Sequence, residues 1–96
     1  MRFLESFKTL KCENGSLGWE LYFGEIPYKD TDVQWALNRL KREEEKDYII
    51  ESWWVAKSNA TTTEFVTLRI SSVLDKDVSR EEAKRIGEKF LLFLDF

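Results

Sequence analysis

Residues 66–71 read Val-Thr-Leu-Arg-Ile-Ser, apolar and polar in strict alternation. A period of two commits the segment to a strand with one dry face and one wetter face. Residues 48–57 ahead of it are rich in β-branched and aromatic side chains, and Ser58-Asn59-Ala60-Thr61 separates the two runs as a turn. Residues 48–57 and 62–73 therefore pair as a hairpin. Residues 49–55 are apolar on both faces apart from Glu51 and Ser52, which suits a central strand better than an edge. A third strand runs over 18–26, with Trp19, Leu21 and Phe23 on one side and Glu20 and Tyr22 on the other.

An apolar sheet face has to be covered, and two helical stripes are available to cover it. Asp30-Thr31-Asp32 supplies cap residues, Gln34 follows Thr31 by three, and Val33, Ala36, Leu37 and Leu40 recur at helical spacing. The spacing predicts a helix over 32–46, with Pro27 ending the segment before it. Ser79-Arg80-Glu81-Glu82 is a capping box, and Ala83, Ile86, Phe90, Phe93 and Leu94 form one stripe, so a second helix runs over 80–95.

Residues 2–12 admit two readings. Phe3, Phe7 and Leu10 fit a helix, while Leu4, Leu10 and Cys12 fit one face of a strand. A faint repeat at an offset of 46 favours the strand: Phe3-Leu4-Glu5-Ser6-Phe7 lies over Ile49-Ile50-Glu51-Ser52-Trp53. The expected class is α+β, a single domain over 1–96. Its antiparallel sheet has about four strands with two helices on one face, in the order ββαββα, with αβαββα as the alternative.

The chain has no His and one Cys, which removes His-based triads, most zinc sites and any CxxC pair. No glycine-rich phosphate loop is present. The run Glu43-Glu44-Glu45-Lys46-Asp47 is the only dense carboxylate cluster, and consecutive residues at a helix end point in all directions, so it reads as a solvated end. Cys12 reads as a small residue packed at a strand end. No catalytic residue, cofactor or metal ligand is assigned, and the chain is not expected to be an enzyme. Eighteen acids against fifteen bases argue against a duplex-DNA binder. A lone Cys and the lack of a signal peptide point to the cytoplasm, and no apolar run approaches the roughly 20 residues that span a membrane.

What remains is aromatic surface. On the first helical wheel Trp35 lies nearly opposite the apolar stripe, beside Asn38, Arg39 and Arg42. Trp and Arg are the types most enriched at binding hot spots. Leu92 and Phe96 stand off the stripe of the second helix and ask for cover, which a second copy of the chain, the N-terminal segment or the loop at Tyr28 would supply. If Ile50, Trp54, Val66, Leu68 and Ile70 face the helices, then Phe7, Trp53, Val55 and Phe65 face the other way, among Glu5, Glu51, Lys11, Lys57 and Arg69. The expectation is a non-enzymatic, homodimeric protein-binding module, serving as a regulator, inhibitor or accessory subunit. Its partner surface is Trp35, Arg39, Arg42, Trp53, Phe65 and Phe7, and its dimer contacts are Leu92 and Phe96. The alternative is a single-stranded nucleic-acid binder that stacks bases on the sheet.

Overall fold

The computed structural model describes residues 4–56 and 62–94. Strands β1 (Leu4–Lys11) and β2 (Leu17–Lys29) lead into helix α1 (Asp30–Glu44), and strands β3 (Tyr48–Ala56) and β4 (Thr62–Ser72) precede helix α2 (Arg80–Leu94). The order is ββαββα, and the four strands form one antiparallel sheet in the spatial order β1-β2-β4-β3. Of residues 2–12, Leu4–Lys11 are thus strand rather than helix.

The central pair sets the core. Trp19, Leu21 and Phe23 of β2 lie opposite Ile70, Leu68 and Val66 of β4, and all six are buried on one face. The helices cover that face with Val33, Ala36, Leu37 and Leu40 from α1 and Ala83, Ile86, Phe90 and Phe93 from α2. Phe23 and Phe90 meet edge to face at 5.2 Å between ring centres. The Trp19 indole N–H donates to the Val78 carbonyl at 2.7 Å, so its one polar atom is satisfied where the ring is buried. No described helix is long and apolar enough to cross a membrane.

The helix starts differ in kind. Ser79 and Glu82 exchange reciprocal bonds at 3.1 Å, the capping box expected for α2. α1 begins two residues earlier than its spacing predicts, behind Lys29, with no side-chain cap bond. Asp30, one of the three cap candidates, instead accepts the Trp54 indole N–H from β3. β2 likewise runs on through Pro27. The β2–β4 register skips from Ile26↔Thr63 to Lys29↔Thr62 there, and among the described residues β1 pairs no further along β2 than Phe23, so the missing proline N–H interrupts no described ladder.

Two further expectations are corrected. β3 is an edge strand, because β4 lies between it and β2. Phe7 faces the helices, opposite Leu21, with its ring 4.8 Å from Trp19 and the Arg80 guanidinium 5.3 Å above it. The cause is a bulge between Leu4 and Ser6. One extra residue reverses the face of every side chain after it, so the offset-46 match of Phe7 to Trp53 fails although Leu4 and Ile50 do share the helix side. Lys11, opposite Leu17, also stands at a helix-side register position.

Candidate functional site

Two surfaces carry aromatic and cationic groups together. On the helical layer α1 and α2 run antiparallel, since Glu44 meets Arg85 and Lys89 while Arg39 meets Phe93. The Arg39 guanidinium lies 4.2 Å from the Phe93 ring centre and 5.5 Å from that of Trp35, and it is held in place by Glu43 at 2.9 Å. Trp35 is 46% exposed and Leu92, beside Phe93, is 68% exposed. Arg42 stands exposed two turns along the same stripe as Trp35. Of the predicted partner residues Trp35 and Arg39 are thus in contact, with Phe93 of α2 on the other side of Arg39, while Arg42 shares only the helix face of Trp35. Phe96 lies outside the described residues.

The second surface is the sheet face away from the helices. Register places Ser6, Lys8 and Leu10 of β1 there, with Glu20, Tyr22 and Gly24 of β2. β4 adds Phe65, Thr67, Arg69 and Ser71, and β3 adds Ile49, Glu51, Trp53 and Val55. Tyr22 and Phe65 stack at 5.5 Å, and Arg69 lies 5.0 Å over the Trp53 ring. Ile49 is 50% exposed, Trp53 43% and Val55 44%. Trp53 and Phe65 thus share this face, while Phe7 belongs to the other. Lys57 lies outside the described residues.

One row of this face is ionic: Lys8, Glu20, Arg69 and Glu51 stand side by side across the four strands. Glu20 accepts from Arg69 at 2.7 Å and meets Lys8 at 3.4 Å. The Arg69 bond first, and Lys8 after it, hold the Glu20 carboxyl below its ordinary range against the opposing effect of burial. Both cations of the row are therefore already engaged by a carboxylate.

The acidic run at the end of α1 departs from its expectation. Glu44 points inward and is buried, gripped by Arg85 through two bonds of 3.2 and 2.8 Å and by Lys89 at 2.8 Å. Among the described residues no three His, Cys, Asp or Glu side chains converge as a metal site. The Cys12 thiol lies over Gly18, where an added Cβ would stand 3.2 Å from Sγ and 2.6 Å from the Ile70 carbonyl. Ile49, Tyr22 and Phe93 join these surfaces without having been singled out. The signal for Ile49 was its position next to Ile50, which in a strand puts one of the two on each face. No protein-family model, curated protein or solved structure matches the chain.

Proposed function

We propose that this chain is a non-enzymatic protein-binding module, a regulator, inhibitor or accessory subunit, that contacts another protein through its helical layer and also pairs with a second copy of itself. The observation that carries the reading is the bridge of Arg39 between Trp35 and Phe93, flanked by the exposed Leu92. A large aromatic ring held by a stacked guanidinium is pre-positioned, so little rotamer freedom is lost when a partner buries it. Arg42 offers the rim a charge for a partner carboxylate.

The test is affinity capture from the native host with the parent chain, Trp35→Ala and Leu92→Glu, each first shown to melt within a few degrees of the parent. The parent is expected to retain a partner that both variants lose, by at least tenfold in recovered amount. Recovery of the same proteins by all three chains would overturn the helical contact surface.

A second reading is favoured by the stacked Tyr22 and Phe65 beside the exposed Trp53, which resemble a platform for unpaired bases. Against it stand the engagement of Lys8 and Arg69 by Glu20 and the exposed Glu51 in the same row. Quenching of tryptophan fluorescence by oligothymidylate at low salt, fading steeply as salt rises, would support it.

A further inference from the structure

We infer that the open sheet face pairs with the same face of a second copy, about a two-fold axis parallel to the strands. The inference rests on the self-association in the reading above and is independent of the helical contact surface. Across the strands the ionic row is Lys8, Glu20, Arg69, Glu51, with charges that alternate plus, minus, plus, minus. A rotation about an axis along the strands, lying between β2 and β4, reverses that row and lays it on itself. Lys8 then faces Glu51 of the partner subunit, and Glu20 faces Arg69 of the partner subunit. An axis across the strands that ran along this row would instead place Lys8 against Lys8 and Glu20 against Glu20. Like charges set face to face cost stability, so of the two axes through the row the strand-parallel one suits it.

The flanking rows obey the same operation. The row Ser6, Tyr22, Thr67, Trp53 brings the large Trp53 over the small Ser6 of the partner subunit, and Tyr22 over its Thr67. Phe65 comes over Gly24 of the partner subunit, which has no side chain to displace, and Leu10 meets Ile49 of the partner subunit. A bulky group thus lies over a smaller one in most positions, the condition for two pleated faces to interdigitate about 10 Å apart.

The area is sufficient. Four strands spaced about 4.8 Å apart and about eight residues long at about 3.3 Å each give roughly 500 Å² of flat sheet per copy. Two such faces, with side-chain relief added, reach the roughly 1,200 Å² at which specific interfaces begin. The apolar groups left most open on the face, Ile49, Trp53 and Val55, are the ones this contact covers.

The charge row provides its own test by sedimentation equilibrium at about 50 µM in low salt. The parent is expected at twice its chain mass of 11.4 kDa. Lys8→Glu gives a chain with carboxylates at both ends of the row, and Glu51→Lys gives one with ammonium groups at both ends. Each variant alone is expected at 11.4 kDa, and an equimolar mixture of the two is expected to recover twice that mass, because each end then meets its opposite. Both side chains are exposed, so the folds are expected to persist, checked by unchanged far-ultraviolet dichroism. A parent that stays at 11.4 kDa removes self-association altogether, and binding of oligothymidylate by that monomer would assign the face to nucleic acid. A dimeric parent whose two variants remain dimeric, or whose Leu92→Glu variant becomes monomeric, leaves self-association standing and overturns this interface. Failure of the mixture to reassociate would overturn it equally.

Discussion

Glu44 stands where the second half of the chain has Leu94, and the exchange of a carboxylate for an apolar side chain at a buried position has a measurable signature. Arg85, and after it Lys89, hold the Glu44 carboxyl down at about 2 in spite of the desolvation that opposes them. A shift of that size converts to roughly 3 kcal/mol at about 1.4 kcal/mol per unit. Water around the half-exposed Arg85 screens the pair and reduces it to about 1–2 kcal/mol. Because the folded value lies below the unfolded one, this stability is fully present above the ordinary carboxylate range and is lost as pH falls toward 2. Glu44→Gln is expected to lower the urea-unfolding free energy by about 1–2 kcal/mol at pH 7, with the difference from the parent closing on the way to pH 2. A difference that does not change with pH would mean that Glu44 contributes packing rather than charge.

At the scale of elements, the two helices have 15 residues each and start by different means. Ser79 caps α2 through its hydroxyl, so Ser79→Ala is expected to cost about 1 kcal/mol in urea unfolding. Thr31 lies past the start of α1, which has no side-chain cap, and Thr31→Ala is expected to stay within about 0.5 kcal/mol. Equal losses for the two would contradict the asymmetry. The capping box was legible because both of its partners are local, three residues apart. The start of α1 was not, because Asp30 is drawn away by Trp54, a residue 24 positions distant. The same contrast runs through the sheet. Alternation in 66–71 marked the core side of β4 correctly, and the helical wheel gathered Trp35, Arg39 and Arg42. A bulge leaves no periodic trace in eight residues, so Phe7 went to the wrong face. Whether β3 is central or edge depends on which strand pairs with β2, a long-range choice that apolar content alone does not decide.

For the whole molecule, the sequence repeat has a structural counterpart that exceeds it. The buried residues Val33, Ala36, Leu37, Leu40 and Glu44 of α1 correspond, fifty positions on, to Ala83, Ile86, Gly87, Phe90 and Leu94 of α2, and only Phe93 of α2 lacks a buried counterpart, its place being taken by the exposed Glu43. The chain is two ββα units related by an approximate two-fold axis between β2 and β4. The units are interlocked, because each helix lies mainly over the strands of the other. α1 packs against β3, with Asp30 bonded to Trp54, while α2 packs on β2 through Phe90 on Phe23 and sets Arg80 over Phe7 of β1. Split at the turn after α1, neither half keeps the partner that covers its apolar sheet face, and a unit of about 45–50 residues, already marginal in the surface it can bury, has no other core to replace that cover. Fragments 1–45 and 46–96 are each expected to lack a cooperative thermal transition in near-ultraviolet dichroism, and their equimolar mixture is expected to regain the parent's tryptophan signal. In the intact chain the same interlock requires Trp19, in the first unit, and Trp54, in the second, to report one midpoint when each is left with the other three tryptophans replaced by Phe. A fragment that melts cooperatively by itself, or two separated midpoints, would show that the halves are independent and that the seam between β2 and β4 joins two folded units rather than creating one.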